Sequence, residues 1–506
     1  MKQTIKISQG EKWWGGASNL GTEMPFKPGA LHDLRGDNLG NQAAPLLLSS
    51  AGRYVWSAEP FRFRIGGDAL RIEGAGPFVV EAVGGGLRDA YRDASRRFFP
   101  PQGRAPHPLL FKAPQYNTWI ELMYDQAQEP ILRYARNLLR QGYPPGVLMI
   151  DEGWANYYGD WDFNATRFPR PRQLIDELHR LGFKVMLWIV PFVVPDSRVF
   201  RELRAGRVLV KDKAGKPVVR EWWNGYSALV DVTGGDGRRW FLAQLKRLRR
   251  DYGVDGFKFD AGDTPYYRDD DVLAVPANAN GHTEAFGRLG TGWRLNEYRA
   301  CWKCAGEPLA QRLRDKLHTW DSLGMRSLIP NTLALGLIGH AFVCPDMIGG
   351  GDYSSFVGRN VRLDPELFVR YAQASALMPM MQFSAAPWRV LDRRHAGLCL
   401  EAARLHLRFA GKIWALAKES ARTGEPMVRS LAYQYPGLGY ETITDQFLLG
   451  GDILVAPVVE KKLRARKVVI PPGTWRADDD SEVVGPAEVE VAAPLERLPY
   501  FVSIKK

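Results

Sequence analysis

The sequence predicts an α/β fold: a (β/α)8 barrel with an N-terminal β-sandwich and a small C-terminal β-domain. From about residue 112 onward, short apolar strands alternate with amphipathic helices, which is the pattern of parallel β/α units. Eight strand candidates favour a closed barrel, and no G-x-G-x-x-G segment follows the first of them, which disfavours a dinucleotide-binding sheet. We expect the sandwich in residues 1–110, the barrel in 111–440 and the β-domain in 441–506.

The first of these parts is β-rich. Apolar segments at 54–56, 61–65, 70–72 and 77–80 are separated by Gly-rich or polar turns. Short strands at this spacing are typical of an antiparallel sandwich.

The barrel prediction rests on eight segments separated by helical patterns. They are residues 116–122, 147–152, 184–190, 256–260, 298–302, 341–346, 378–384 and 427–431. Apolar residues at helical spacing lie between them, for example over 131–139 and 174–181. The long stretch near 196–235, between the third and fourth candidates, is predicted to leave the barrel as an insert. After about residue 440 the helical pattern stops, and strands broken by Gly and Pro follow.

Composition argues against several classes of partner. The formal net charge is +12, but Lys and Arg are scattered over helix surfaces and no nucleic-acid motif accompanies them, so we expect no nucleic-acid partner.

No apolar run reaches the length of a membrane span, and residues 1–6 lack the features of a signal peptide; we expect a cytoplasmic protein without a membrane partner. Cys301 and Cys304 form a C-x-x-C pair without further ligands, which favours a structural or incidental role over a metal site. A homo-oligomer is left open.

Acidic residues follow several of the predicted strands. Asp151 and Glu152 end the second candidate, Asp260 ends the fourth and Asp346 ends the sixth. In barrels the carboxyl ends of the strands carry the chemistry. Carboxylates that accept from hydroxyl groups, with indole rings that stack on a sugar face, suit a neutral polyhydroxylated ligand. The indole candidates are Trp154, Trp188 and Trp388.

Asp260 and Asp346 form a candidate catalytic pair. Cleavage of a glycosidic bond needs two carboxyl groups, one that attacks or activates water and one that protonates the leaving oxygen. Strands four and six can face each other across a barrel mouth. A strand-end Asp that only caps the following loop is the alternative for each residue.

Several motifs resemble glycoside hydrolase family 31, the retaining α-glycosidases. "GVDGFKFDAGD" (253–263) is similar to the nucleophile strand of the family, and "FVCPDMIGGG" (342–351) is similar to its acid/base segment. "LMPMMQFSAAPW" (377–388), "QFLLGGDILVAPVV" (446–459) and "PPGTW" (471–475) follow in the family's order. The likeness extends over nearly the whole chain.

The resemblance implies a double-displacement mechanism without metal or cofactor. Asp260 matches the nucleophile, and Asp346 matches the acid/base residue. Arg312, in the Gln311-Arg312 segment, matches an arginine that contacts the sugar 2-hydroxyl in the transition state. Asp151 matches an acid that holds distal hydroxyls, and Glu152 is a candidate to share that task.

Two departures bear on the substrate. The nucleophile segment ends in "KFDAGD" and the acid segment reads "PDMIGGG"; both resemble a branch with α-galactosidase-like members. We expect an α-galactosidase or an α-glucosidase that acts on the terminal hexose. Lys258 precedes Asp260 by two positions, so a regular strand turns both side chains to one face, where Lys258 can keep Asp260 ionised or contact sugar. The alternatives are an α-transglycosylase and a non-catalytic carbohydrate-binding barrel protein.

Overall fold

The computed structural model describes residues 1–36, 40–358 and 361–504. These residues form two compact units. Of the described residues, one unit contains 1–34, 43–114, 305–358 and 361–504, and the other contains 35–36, 40–42 and 115–304. The domain boundaries expected at 110 and 440 stay predictions.

The N-terminal residues form antiparallel sheets, as expected. Lys2–Lys6, Ala69–Gly74, Phe61–Ile65 and Leu31–Asp33 follow one another in the first sheet. In the second sheet, Gln42–Ser49 pairs with Trp13–Ala17 on one side and with Arg53–Ser57 on the other, and Phe78–Ala82 follows. Burial alternates along Phe61–Ile65, because its apolar side chains face the core and its Arg side chains face solvent.

Five barrel strands lie in the unit that contains residues 115–304. They pair in parallel in the order Gln115–Asn117, Val147–Ile150, Lys184–Ile189, Gly256–Phe259 and Asn296–Tyr298. The helices Gln128–Arg140 and Pro171–Arg180 connect the first three strands and bury one apolar stripe each, including Ile131, Leu138, Leu174 and Leu178. Each of these buried side chains stabilises the fold by about 1.5–3 kcal/mol.

Three barrel strands belong to the other unit: Gln311–Arg312, Val343–Cys344 and Gln382–Phe383. The first two pair in parallel, and Met347 forms a parallel bridge with Gln382. Among the described residues the barrel therefore has eight strands, as predicted, but two assignments were wrong. Gln311–Arg312 is the sixth strand, so Asp346 follows the seventh strand and not the sixth.

The eighth strand candidate, residues 427–431, is the second wrong assignment. Val428–Arg429 pairs antiparallel with Phe447–Leu449 at the edge of the C-terminal sheet. That sheet continues through Ile453–Val455, Tyr500–Ile504, Ala465–Ala477 and Glu482–Ala492. Trp475, Ile470 and Phe501 are buried in its core. A short apolar run carries no information about its pairing partner, which explains the error.

The stretch predicted as an insert, near 196–235, contains a hairpin, here called the insert hairpin; that it is an insert stays a prediction. Val219–Trp222 and Gly225–Leu229 form a hairpin, and the strand Phe192–Val193 pairs with Gly225–Leu229. The helix Arg198–Leu203 precedes the hairpin. A second hairpin, Ala155–Tyr157 with Asp160–Phe163, follows the second barrel strand.

Further helices complete the two units. Gly235–Tyr252 and Ala279–Leu289 flank the fourth barrel strand in sequence, and the longest helix is Arg393–Thr423. Within the described ranges, no helix combines the length and the apolar character needed to cross a membrane. The remaining α-helices are Leu87–Phe98, Leu109–Lys112, Trp119–Leu122, Leu328–Leu337, Pro365–Ala376, Pro387–Val390 and Leu431–Gln434. Short 3-10 helices lie at Ser18–Glu23, Thr264–Tyr266, Gly290–Gly292, Met325–Ser327 and Tyr353–Ser355.

Candidate active site

Asp260 lies at the carboxyl end of the strand Gly256–Phe259. Its backbone N–H still donates to the carbonyl of Ile189 on the neighbouring strand, at 2.9 Å. The chain then turns away sharply, because Ala261 and Gly262 both adopt positive φ, 52° and 73°. A Cβ on Gly262 would lie 2.3 Å from the ring of Phe286, so this tight exit from the strand requires glycine.

Both carboxylate oxygens of Asp260 accept hydrogen bonds. The indole Nε1 of Trp188 donates to Oδ2 at 2.9 Å, and Nε of Arg299 donates to Oδ1 at 3.0 Å. Nζ of Lys258 lies 3.7 Å from Oδ2. Asp260 is only 7% exposed. Two cations and a fixed donor favour the ionised form and hold the carboxylate in one orientation.

Lys258 joins Asp260 to Asp151. The expected shared face of Lys258 and Asp260 is present, and Nζ of Lys258 donates to Oδ2 of Asp151 at 2.7 Å. The other oxygen of Asp151 accepts from the backbone N–H of Glu152 at 2.9 Å. Asp151, Lys258 and Asp260 therefore form one buried charged cluster at the ends of two barrel strands.

Glu152 points to the tip of the insert hairpin. Its carboxyl group accepts from the hydroxyl of Tyr158 at 2.5 Å, from Nε1 of Trp223 at 3.4 Å and from the side-chain amide of Asn224. Burial raises the pKa of Glu152 to about 7; the Tyr158 hydroxyl opposes this rise, and nearby Asp151 and Asp260 add to it. A carboxyl group in this environment exchanges its proton near neutral pH.

The predicted tryptophans occupy different environments. Trp188 contacts Asp260 directly. Trp154 has no exposed surface, stacks on Trp161 and donates its indole N–H to the carbonyl of Trp188 at 2.8 Å. Trp154 thus supports Trp188 from the core, and its sugar contact stays a prediction. Trp388 belongs to the other unit, where it is half-buried in the short helix Pro387–Val390.

Asp346 follows the strand Val343–Cys344 with an unusual backbone. Its φ of 105° is rare for any residue other than glycine. The side chain is fully buried. Nη1 of Arg312 donates to Oδ1 at 2.6 Å, and the backbone N–H groups of Lys316 and Gly351 donate to Oδ2 at 2.7 and 3.0 Å. Strain of this kind persists where surrounding contacts hold the residue in place.

Burial raises the pKa of Asp346 to about 7. The guanidinium of Arg312 and the backbone N–H of Lys316 oppose this rise, whereas Asp315 adds to it. Arg312 also donates to Oδ1 of Asp315 at 2.7 Å, so its positive charge is shared between two carboxylates. Asp346 is therefore suited to hold a proton near neutral pH and release it in a reaction.

Arg299 is the residue that the sequence interpretation missed. It follows the fifth barrel strand, Asn296–Tyr298, directly, in the position where barrels carry functional side chains. The predicted fifth strand, 298–302, was placed too late, which put Arg299 inside a strand. The strand Asn296–Tyr298 consists of polar residues, so no apolar pattern marked the strand end that Arg299 follows.

Within the described ranges, no group of three or more His, Cys, Asp or Glu side chains is arranged to hold a metal ion. All four cysteines, Cys301, Cys304, Cys344 and Cys399, are free thiols and buried.

Sequence comparisons connect the chain to known glycosidases. It is 34% identical over 409 residues to the myogenesis-regulating glycosidase of Mus musculus, covering 78% of this chain and 56% of that protein. It is 24% identical over 444 residues to alpha-glucosidase 2 of Bacillus thermoamyloliquefaciens, covering 81% of this chain and 54% of that protein. The chain spans about half the length of the curated relatives it matches.

The fold has solved counterparts. The Flavobacterium johnsoniae GH31 dextranase complexed with glucose superposes with a TM-score of 0.87 at 20% identity, covering 99% of this chain and 66% of that chain. This likeness confirms the predicted barrel with its flanking β-structure.

The model for the glycosyl hydrolases family 31 TIM-barrel domain matches residues 112–302, and the model for the glycosyl hydrolase family 31 C-terminal domain matches residues 424–504. The chain belongs to glycoside hydrolase family 31.

Proposed function

We propose that this chain is a retaining, exo-acting α-glycoside hydrolase that releases a terminal α-linked hexose by double displacement. One observation carries the proposal: the two carboxyl groups have opposite environments. Asp260 receives a hydrogen bond from Trp188 and the charges of Arg299 and Lys258, which suits a nucleophile. Burial raises the pKa of Asp346 to about 7, which suits a proton donor. Environments that differ in this way are the means by which two carboxyl groups divide acid and nucleophile roles.

The proposed reaction has two steps. In the first, a carboxylate oxygen of Asp260 attacks the anomeric carbon, the bond to the leaving oxygen breaks, and Asp346 gives that oxygen its proton. In the second, the Asp346 carboxylate takes a proton from water, the water oxygen attacks the anomeric carbon, and Asp260 departs as a carboxylate. Two inversions release the hexose in its α configuration.

Sugar contacts are proposed for residues around each carboxyl group. Asp151 and Glu152 offer carboxyl oxygens to distal hydroxyls, and the ammonium of Lys258 offers a donor. Arg312 is proposed to contact the 2-hydroxyl, and Trp188 to line the sugar-binding pocket. Trp388 is half-buried and has an indole face of the kind that stacks on a pyranose.

The substrate is proposed to be an α-galactoside or an α-glucoside. The alpha-glucosidase relative supports the glucoside, whereas the "KFDAGD" and "PDMIGGG" variants support the galactoside. The two sugars differ only in the axial or equatorial 4-hydroxyl. A comparison of kcat/KM for aryl α-galactoside, α-glucoside, α-xyloside and α-sulfoquinovoside distinguishes them; turnover of none of these would contradict the proposed activity.

Azide rescue tests the two roles separately. In Asp260→Ala, azide replaces the missing nucleophile and yields a β-glycosyl azide. In Asp346→Ala with an activated aryl substrate, azide attacks the glycosyl-enzyme and yields an α-glycosyl azide. NMR of the wild-type product before mutarotation should show the α-hexose first. A β-hexose, or the reverse azide stereochemistry, would overturn the assignment. Transfer of the hexose to an added acceptor sugar in preference to water would identify a transglycosylase.

A further inference from the structure

Arg299 connects Asp260 to three other parts of its unit. Nε donates to Oδ1 of Asp260 at 3.0 Å, and Nη2 donates to Oδ2 of Asp263 at 3.1 Å. Nη1 donates to the carbonyl of Gly40 at 3.2 Å. The side chain is only 14% exposed. Three nitrogens of one rigid, planar group thus have defined acceptors, which determines where Nε lies relative to Asp260.

The face of the guanidinium packs against Trp223. The central carbon of the Arg299 guanidinium lies 5.3 Å from the centre of the indole ring, within the range of a cation–π contact. Trp223 is at the tip of the insert hairpin, between Val219–Trp222 and Gly225–Leu229, and is 45% exposed. Its indole N–H donates to Glu152. The hairpin tip therefore contacts both Glu152 and the cation that holds Asp260.

We propose that Arg299 is a positioning residue for the nucleophile Asp260 and couples it to the insert hairpin through Trp223. This inference rests on the proposed role of Asp260. Arg299 holds Oδ1 of Asp260 at 3.0 Å, together with the backbone N–H of Ala261 at 2.9 Å, and is the charged donor to that oxygen. Asp263 and Trp223 in turn hold Arg299. Misplacement of a reacting group by about 1 Å is enough to lower a rate by about 100-fold.

The positive charge of Arg299 acts differently in the two chemical steps. In the first step Asp260 loses its negative charge as it bonds to the anomeric carbon. In the second step it departs with the electron pair of that bond and becomes a carboxylate again. A neighbouring cation stabilises the departing carboxylate, so loss of Arg299 should slow the second step more than the first.

The other charged groups around Asp260 do not replace this contact. Lys258 is 3.7 Å from Oδ2 and donates at 2.7 Å to Asp151. Asp263 adds negative charge beside the pair, and Glu152 does so once it is ionised, above about pH 7. Arg299 is therefore the cation that bonds Oδ1, and its removal leaves Asp260 among three other carboxyl groups with Lys258.

The test uses Arg299→Met and Arg299→Lys, with Arg497→Met as the matched control. Arg497 likewise bridges two aspartates, Asp478 and Asp479, and its side chain is 19% exposed. For Arg299→Met we expect kcat to fall about 100-fold, KM to fall and the glycosyl-enzyme to accumulate as a burst in pre-steady-state kinetics. The acid limb of kcat/KM should move to higher pH, since Asp260 loses a cation that favours its ionised form. Arg299→Lys should restore the position of the acid limb while kcat stays below that of the wild type.

The outcomes separate this inference from the proposed function. If the wild type turns over an α-glycoside and Asp260→Ala does not, but Arg299→Met keeps wild-type kcat, burst and pH profile, the positioning role is wrong. Equal losses in Arg299→Met and Arg497→Met, with an unchanged pH profile, would show a general effect on folding and would also overturn it. An inactive wild type would contradict the proposed function itself.

Discussion

The indole N–H of Trp188 donates a hydrogen bond to Oδ2 of Asp260 at 2.9 Å. Trp188 is the second-last residue of the strand Lys184–Ile189, and Lys258, opposite it on the adjacent strand, contributes the nearby ammonium. The carbonyl of Trp188 accepts in turn from the indole of the buried Trp154. Two tryptophans in succession therefore connect the barrel core to the proposed nucleophile.

Replacing Trp188 with Phe should lower kcat/KM by about 10- to 100-fold, because a hydrogen bond to a charged group contributes about 1.5–3 kcal/mol. Phe keeps much of the ring and loses the N–H. The measurement is kcat/KM on the best aryl α-glycoside. Trp475→Phe is the control, since it removes a buried indole N–H that donates to the carbonyl of Pro471 in the C-terminal sheet. Equal activity of the two variants would contradict a role of Trp188 at Asp260.

The value of kcat/KM should decline above about pH 7 for substrates with poor leaving groups. Burial raises the pKa of Asp346 to about 7, so the protonated form that donates to the leaving oxygen disappears above that pH. The decline should approach about tenfold per pH unit for an alkyl or sugar leaving group. A nitrophenyl glycoside needs less protonation and should show a shallower decline. Parallel pH profiles for the two substrate types would contradict the acid role.

Glu152 should make folding stability depend on pH between about 4.5 and 7. Burial raises the pKa of Glu152 in the folded state from 4.5 to about 7, so in this window the folded chain binds a proton that the unfolded chain has released. The contribution of Glu152 to the free energy of unfolding is therefore complete below pH 4.5 and is lost as the pH rises through 7.

Glu152→Gln should flatten this slope, because the amide stays neutral at every pH. The measurement is the free energy of unfolding in urea at pH 5 and pH 8. Glu129→Gln, which changes an exposed carboxylate on the helix Gln128–Arg140, is the control. A pH slope that is identical in Glu152→Gln and wild type would rule out this contribution.

Gly351→Ala should impair catalysis more than it impairs folding. A Cβ on Gly351 would lie 2.8 Å from Oδ1 of Asp346 and 2.8 Å from Oδ1 of Asp315, so the acid and its neighbour must shift. We expect kcat to fall about 100-fold, the order of effect of a 1 Å misplacement. Gly397→Ala is the control: nothing lies within 4 Å of the added Cβ, and alanine stabilises the helix Arg393–Thr423 by about 1 kcal/mol. Unchanged kcat in Gly351→Ala would show that Asp346 tolerates the displacement.

Single strands are predictable from sequence where a local apolar pattern marks them, and they are mispredicted where the pairing partner decides. The predicted bounds of Gly256–Phe259 and Lys184–Ile189 agree with the observed bounds to within one residue, because each strand is an apolar run bounded by turns. Val428–Arg429 has the same kind of pattern, yet it pairs in the C-terminal sheet. Gln311–Arg312 is a strand of two polar residues. A search for apolar patterns cannot detect such a strand.

The type of chemistry is predictable from local sequence, since the carboxyl groups after strand ends and the motifs around Asp260 and Asp346 are local features. The groups that surround these carboxyl groups come from distant parts of the fold. Arg299 reaches Asp260 from 39 residues away, and the buried Trp154 donates to the carbonyl of Trp188. The raised pKa of Asp346 comes chiefly from burial. Burial and ion pairing depend on which distant segments meet in space, and a linear pattern does not contain that information.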